Sequence, residues 1–144
     1  MRVAVLFGGI STERNVSISG GRAVVEALRS LGYDVIPVDP AFGKDGQIKA
    51  EEHINNINHF NTLEELSQFS PKSIIECINS EIFDNIDCAF IVLHGKYGED
   101  GIIQSLLELR GIPYTGSGVK ANAISIDKAT TKNLMLVAGI PVPA

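Results

Sequence analysis

The chain has 144 residues, of which 44% are hydrophobic and 20% charged, and its formal net charge is −5. This length and composition predict one globular domain with its own core and argue against two domains. The negative charge gives no positive field for a phosphate backbone, which argues against nucleic acid and favours a small-molecule partner.

Cysteine usage and hydropathy indicate the compartment. Cys77 and Cys88 are the only cysteines, and neither belongs to a C-x-x-C pair. Both lie in segments patterned as regular structure, so they are expected to be reduced packing residues of a cytoplasmic protein. No apolar run is long enough for a signal peptide or for the roughly 18 residues of a membrane span, so no membrane partner is expected.

The first predicted strand is RVAVLF, an apolar run rich in β-branched residues that ends at two glycines. This pattern is typical of a strand buried on both faces of a parallel sheet. A helix is predicted from Val16 to Leu31, with Gly32 as its stop. Its apolar residues at helical spacing are Val16, Ala23, Val24, Ala27, Leu28 and Leu31.

The second strand, YDVIPVD, contains Pro37 and is predicted at a sheet edge, because proline has no amide hydrogen to donate. Residues 41–70 lose periodicity and are rich in Asn, Gln, Glu and Lys. They are predicted to be a surface insertion, with a tight turn at FGKDGQ and about two helical turns at TLEELSQF.

Helix and strand patterns alternate in the second half of the chain. SPKSIIECINSEIF predicts a helix with Ser70 as N-cap and Pro71 at its first position. IDCAFIVLH is the strongest strand pattern, and it is followed by the loop HGKYGED, an amphipathic helix, the short strand IPYTG and helix through MLVAG. The predicted apolar faces of the two amphipathic helices are Ile74, Ile75, Ile78 and Ile82 in the first, and Ile102, Ile103, Leu106 and Leu107 in the second.

This alternation predicts an α/β fold, a doubly wound and mostly parallel sheet with helices on both faces. The loops at residues 8–17 and 94–101 each follow the carboxyl end of a strand. In such sheets ligands bind where neighbouring strands send their chains to opposite faces, so the two loops are expected to line one crevice.

Gly8 and Gly9 have two interpretations. The turn could present backbone amides to an anion at the start of a helix, or it could be a plain strand-to-helix turn. The spacing matches neither G-x-G-x-x-G nor the P-loop, so the turn alone does not decide.

Glu13 also has two interpretations, a carboxylate that complements the helix dipole or a partner for a cation. The facing loop favours the second, because together with Glu13 it gives the crevice charges of both signs, which suits a zwitterion such as an amino acid. The charged and titratable residues of that loop are His94, Lys96, Glu99 and Asp100.

Asp39 ends the second strand, where a dinucleotide-binding domain keeps its ribose-binding acid, so a nicotinamide or flavin site is a rival hypothesis. The glycine fingerprint of such a domain is absent, however, and Pro40 follows directly. His53 and His59 are expected to be solvated in the polar insertion, and no His, Cys or acid cluster has metal-ligand spacing.

Lys128 and Lys132 lie four residues apart on one predicted helix face, with Asp127 as a candidate N-cap. They are either solvated lysines or a contact to a nucleotide phosphate.

Three long segments, FGGISTERNVSISGG, LHGKYGEDGIIQSLLELRGIPYTGSG and DKATTKNLMLVAGIPVP, occur in this order. Together they resemble the amino-terminal part of the D-alanine–D-alanine ligases, ATP-grasp enzymes of peptidoglycan synthesis whose amino-terminal domain is Rossmann-like. The resemblance implies that ATP phosphorylates the carboxylate of one D-alanine and that the amine of a second attacks the acyl phosphate.

The resemblance also assigns roles to individual residues. Glu13 resembles the acid that holds the ammonium group of the first D-alanine, and His94 resembles the histidine near its carboxylate. Val16 would border the methyl group, Ser17 would support the loop, and Lys128 would reach the ATP phosphates. Asn15 differs mildly from the acid expected at its position, and no consequence is expected because it should point away from the substrate.

Family members continue past GIPVP into domains that bind ATP and magnesium. We therefore expect residues 1–138 to be a substrate-holding domain and residues 139–144 to begin a linker to an ATP-grasp domain. The complete enzyme is expected to be a homodimer that uses ATP and Mg²⁺, and this chain alone should bind neither tightly and be inactive. The second substrate, D-alanine, D-lactate or D-serine, is not specified by these residues.

The remaining alternatives are a nucleotide-binding oxidoreductase domain, which would bind a nicotinamide cofactor, and a non-catalytic α/β module, whose crevice residues would be freely replaceable.

Overall fold

Three parallel strands, in the order β2-β1-β3, form the sheet within residues 1–56 and 61–143, the part of the chain that the computed structural model describes. The strands are β1 (Arg2–Leu6), β2 (Asp34–Val38) and β3 (Cys88–Ile91). The helices are α1 (Arg14–Ser30), α2 (Gly46–Asn55), α3 (Leu63–Leu66), α4 (Pro71–Ile78), α5 (Ile102–Leu109), α6 (Val119–Ile126) and α7 (Lys128–Val137), with 3₁₀ turns at Pro40–Asp45 and Glu81–Phe83.

The central strand is buried on both faces, as its sequence predicts. Alternate residues of β1 and the residue after it, Val3, Val5 and Phe7, pack with residues of α1 and α2. Ala4 and Leu6 of the same strand pack with α4 and α5 on the opposite face. The doubly wound arrangement is therefore confirmed, and the edge position predicted for the Pro37 strand is the position of β2.

The crevice follows from this topology. After β1 the chain enters α1 on one face of the sheet, whereas after β3 it enters α5 on the other face. β1 and β3 are neighbours, so their carboxyl ends form the switch point at which ligands bind in doubly wound sheets.

Helix α1 buries only part of the predicted face, since Val24 and Leu28 pack partly against the core. Ile18, Gly21 and Val25 are buried, whereas Val16 and Leu31 are exposed. The reason is Gly21, where an added Cβ would overlap the Phe7 ring, so the helix lies against the sheet along its glycine side. In α4 the buried face is likewise Ile74, Cys77 and Ile78, and Ile75 is 50% exposed.

The prediction of a surface insertion at residues 41–70 is wrong in its first half. Helix α2 packs against β2 and α1, and its Ala50 is completely buried in the core. The predicted turn at FGKDGQ is the 3₁₀ segment, with Gly43 at φ 57°, and TLEELSQF contains the single-turn helix α3. The predicted strand IPYTG is reduced to one parallel bridge between Ala89 and Tyr114.

Helices α6 and α7, like the single-turn helix α3, have no buried residue. They pack against each other, and α6 also contacts α5. Several large apolar side chains of α7 are exposed: Leu134, Met135, Leu136 and Val137. Among the described residues, no helix has the length and apolar character needed to span a bilayer.

Candidate functional site

The turn at Gly8 and Gly9 places the end of β1 against its neighbours. Both glycines have positive φ, 79° and 73°. Their amides donate inward, from Gly8 to Ser17 Oγ at 2.9 Å and from Gly9 to Asp39 Oδ1 at 3.1 Å. The amides of these two glycines are therefore not available to an anion.

Ser11 joins the two loops of the crevice. Its buried hydroxyl donates to the His94 carbonyl at 2.7 Å and accepts a hydrogen bond from the Glu13 amide at 3.2 Å. A Cβ added to Gly95 would lie 2.8 Å from Glu13 Oε2, so the Glu13 carboxylate lies directly beside the His94 loop. The structure thus places the Glu13 carboxylate beside the His94–Gly95 backbone, through Ser11, which no sequence motif indicates.

The Glu13 carboxylate is exposed at the N-cap of α1. Within residues 1–56 and 61–143 its carboxylate oxygens make no hydrogen bond or ion pair, whereas its backbone is fixed by Ser11 and by the first turn of the helix. A fixed backbone with a free carboxylate leaves the acid able to pair with a cation in the crevice.

The two acids of the His94 loop, Glu99 and Asp100, accept hydrogen bonds from backbone amides of that loop and of the first residue of α5. Glu99 Oε2 accepts from the Gly95 amide at 2.6 Å, and Asp100 accepts from the amides of Tyr97 and Ile102 at 2.8 and 3.1 Å. They hold a tight loop in which Tyr97 has a φ of 71°. One Glu99 oxygen and both Asp100 oxygens therefore accept from backbone amides in or next to their own loop, which the sequence did not predict.

A cavity of about 270 Å³ continues from His94 between β3 and the segment that precedes α6. Gln104 and Asn122 contribute to its walls, and Gln104 donates to the Gly98 carbonyl at 2.9 Å. Half-buried His94 also lines this cavity.

The other predicted site residues are more scattered. Val16 is 61% exposed one turn into α1. Ser17 is completely buried, and its hydroxyl donates to the Val92 carbonyl at 2.6 Å, so it ties α1 to the end of β3. The Asn15 side chain exchanges two hydrogen bonds with the Asn61 backbone.

Lys128 is the first residue of α7, and the structure does not join it to Glu13 and His94. Among the described residues its side chain makes no hydrogen bond or ion pair. Asp127 caps this helix by accepting from the Thr130 amide at 3.0 Å, and this bond lowers the pKa of the Asp127 carboxyl.

Asp39 is not an exposed ribose-binding acid. It is completely buried and forms an ion pair with Arg14, with 2.6 Å between Asp39 Oδ2 and Arg14 Nη2. Burial by itself raises the pKa of Asp39, but the His53 ring, the Arg14 guanidinium and the Gly9 amide lower it by more, so the carboxyl stays ionised. The oxidoreductase hypothesis loses the residue on which it depended.

His53 is also not solvated as predicted. Its side chain is only 12% exposed, and Nε2 lies 3.0 Å from Arg14 Nη2 and 3.4 Å from Asp39 Oδ2. The prediction for His59 falls outside the described residues. In the part of the chain that the structure covers, no group of three or more His, Cys, Asp or Glu side chains could hold a metal ion.

The sequence and the fold of the chain are similar to those of a family of known proteins. A family model described as the D-ala D-ala ligase N-terminus matches residues 2–117. The D-alanine–D-alanine ligases of Desulforudis audaxviator and Pseudomonas fluorescens are 42% and 43% identical to the chain over 142 residues. Each alignment covers 99% of this chain but only 36% and 34% of the relative, so the chain spans about a third of their length.

Solved structures give the same result. The D-alanine–D-alanine ligase from Bacillus anthracis complexed with ATP superposes over the whole chain with a TM-score of 0.66 and 31% identity, which covers 38% of that enzyme. The VanG D-Ala:D-Ser ligase from Enterococcus faecalis superposes over the whole chain with a TM-score of 0.70 and 30% identity, which covers 43% of it.

Proposed function

The chain belongs to the D-alanine–D-alanine ligase family, and from this membership we propose that it is the substrate-holding amino-terminal part of an ATP-dependent ligase. The complete enzyme would join two D-alanine molecules for peptidoglycan synthesis in the cytoplasm. The observation that carries the proposal is the free Glu13 carboxylate, held beside His94 at the switch point of the sheet.

In this proposal the first D-alanine binds with its ammonium group against Glu13. The carboxylate of the amino acid then lies toward His94, whose imidazole can donate a hydrogen bond to it. Val16, exposed one turn after Glu13, would border the methyl group. Ser17 would act from the buried side, by holding the Gly8 amide and the end of β3 in place.

The reaction proceeds in two steps. The D-alanine carboxylate attacks the γ-phosphorus of ATP, which releases ADP and leaves an acyl phosphate. The amine of the second D-alanine then attacks the carbonyl carbon, the amide bond forms, phosphate leaves, and the attacking nitrogen loses one proton. This chain contributes by binding and orienting the first amino acid.

ATP and Mg²⁺ are assigned to the rest of the enzyme. The Bacillus anthracis relative was crystallised with ATP, which supports ATP as the phosphate donor. Among the described residues no group of three or more His, Cys, Asp or Glu side chains could hold a metal ion, so we place the Mg²⁺ ligands in the rest of the enzyme. We place residues 1–138 in the substrate-holding unit, take residues 139–144 as the start of the connection to an ATP-grasp domain, and propose a homodimer for the complete enzyme.

The proposal is tested by comparing the isolated chain with a complete ligase that carries it as the amino-terminal part. The isolated chain is expected to unfold cooperatively on heating, to bind ATP no more tightly than about 1 mM (about −4 kcal/mol), and to release no phosphate. The complete ligase should release phosphate and form the dipeptide only with D-alanine. Phosphate release that depends on D-alanine from the isolated chain, or a complete ligase indifferent to D-alanine, would contradict the proposal.

Lys128 provides a separate prediction for the ATP side of the site. If its ammonium group contacts an ATP phosphate, Lys128→Gln in the complete ligase should raise the KM for ATP about tenfold, since a contact to a charged group is worth about 1.5–3 kcal/mol. Lys132→Gln is the matched control, because Lys132 is equally exposed one turn further along the same helix. Equal effects of the two substitutions on the KM for ATP would show that Lys128 is an ordinary solvated lysine.

A further inference from the structure

The residue after Glu13 is completely buried although it is an arginine. The guanidinium of Arg14 has a partner on every nitrogen: Nε donates to Asn61 Oδ1 at 2.8 Å, and Nη1 donates to the Gly9 carbonyl at 2.6 Å and to Asp39 Oδ1 at 3.1 Å. Nη2 donates to Asp39 Oδ2 at 2.6 Å and faces His53 Nε2 at 3.0 Å. The guanidinium can offer five N–H groups, and four of them are directed at oxygen acceptors on Asn61, Gly9 and Asp39.

The ion pair holds the Gly9 backbone from both sides. Arg14 donates to the Gly9 carbonyl, and Asp39 Oδ1 accepts from the Gly9 amide at 3.1 Å. The Asp39 carboxylate also lies directly under Gly8, where an added Cβ would come within 2.5 Å of Oδ2. Two adjacent residues at positive φ are thus fixed by one buried ion pair.

A purely stabilising role does not explain this arrangement. Buried ion pairs contribute little net stability, because desolvation offsets the attraction, and well-packed apolar residues serve a core equally well. The contacts of Arg14 and Asp39 are instead concentrated on the loop that leads to Glu13. Arg14 is also the first residue of α1, so fixing its side chain fixes the start of the helix and the N-cap residue before it.

Four side chains that follow Asp39 in the chain lie against the pair: Phe42, His53, Asn61 and Phe69. The Arg14 guanidinium carbon lies 5.4 Å from the centre of the Phe42 ring and 4.8 Å from that of Phe69, distances typical of cation–π contacts. His53 and Asn61 supply polar partners from the same part of the chain. These side chains keep water from the pair, which strengthens its hydrogen bonds and makes its geometry rigid.

We propose that the Arg14–Asp39 pair is a positioning device for the Glu13 carboxylate: it fixes the Gly8–Gly9 turn and the start of α1 so that Glu13 meets the ammonium group of the substrate. This inference rests on the proposed function of Glu13. Neither Arg14 nor Asp39 contacts the substrate, and both act through the backbone.

The test uses the complete ligase with Arg14→Met combined with Asp39→Asn. The double substitution removes both charges together, so it leaves no unpaired buried charge, and the introduced carboxamide keeps an oxygen for the Gly9 amide. We expect the KM for the first D-alanine to rise at least tenfold, with kcat and the KM for ATP changed less than twofold. Unchanged kinetics in a folded double variant would overturn the proposal.

A double-mutant cycle with Glu13→Gln separates this inference from the proposed function. If the pair acts through Glu13, the Arg14→Met and Asp39→Asn substitutions should have little further effect on the D-alanine KM in the Glu13→Gln background. Additive effects would overturn the positioning role. If Glu13→Gln alone leaves the D-alanine KM unchanged, the proposed function itself fails.

Arg14→Lys is the second variant, in case the double variant does not fold. Lysine keeps the charge beside Asp39 but cannot reach Gly9 and Asp39 with the same planar fork. A severalfold increase in the D-alanine KM is expected, again absent in the Glu13→Gln background. A wild-type KM in folded Arg14→Lys would contradict the proposal.

Discussion

Glu13→Gln in the complete ligase is expected to lower kcat/KM for the first D-alanine by about ten- to a hundredfold. The substitution keeps the shape of the side chain but removes the charge that pairs with the ammonium group, and a charge-assisted hydrogen bond is worth about 1.5–3 kcal/mol. Most of the loss should be in KM, because the ammonium group is present both before and during the reaction. Steady-state rates over a wide range of D-alanine concentrations provide the measurement.

Glu26→Gln is the matched control for this prediction. Glu26 is an exposed carboxylate on the same helix, remote from the His94 loop. It should leave kcat/KM within about twofold of the wild type. If Glu13→Gln behaves like Glu26→Gln, Glu13 is only an acid that complements the helix dipole.

Asp39→Asn is expected to lower the free energy of unfolding of this chain by about 3–5 kcal/mol at pH 7, because it leaves the Arg14 charge buried without its counterion. Urea denaturation monitored by circular dichroism measures the loss. Asp34→Asn is the control at the other end of β2, where the acid is 65% exposed and pairs loosely with Arg2 at 3.4 Å. It should change stability by less than about 1 kcal/mol.

The Asp39 effect should also depend on pH. The pKa of Asp39 in the folded chain is below its ordinary value of 3.8, so the carboxylate contributes its full stabilisation above that value. The contribution is lost as pH falls through the folded pKa. The difference between wild type and Asp39→Asn should therefore narrow below about pH 4, and a difference independent of pH would show that the charge of Asp39 is not its cause.

Local signals were sufficient for most of the fold. The glycines that follow β1 predict where it ends, and Pro37 predicts that β2 is an edge strand. Ser70 is the predicted N-cap of α4, and it accepts a hydrogen bond from the Lys72 amide at 3.3 Å. The buried face of α1 was not predictable from apolar spacing, because Gly21 faces the sheet and contributes no side chain to the pattern. Helix α2 was not predicted because its only buried residues are Gly46 and Ala50. Two small residues do not produce a recognisable helical spacing of apolar side chains.

The site was predictable only in part, for a different reason. The rule that loops at strand ends share a crevice placed Glu13 beside His94. Arg14 and Asp39 are 25 positions apart in the sequence, and each is buried because the other neutralises its charge. No local pattern predicts such a pair. The partners of Glu99 and Asp100 depend on the exact path of their loop, including the positive φ of Tyr97, which no local pattern indicates.

The most direct test of the central claim is a crystal structure of the complete ligase with D-alanine and a non-hydrolysable ATP analogue. We expect the ammonium nitrogen of the first D-alanine within about 3.2 Å of a Glu13 carboxylate oxygen, with its carboxylate toward His94. D-alanine bound elsewhere, or bound in the crevice with its ammonium group away from Glu13, would contradict the account.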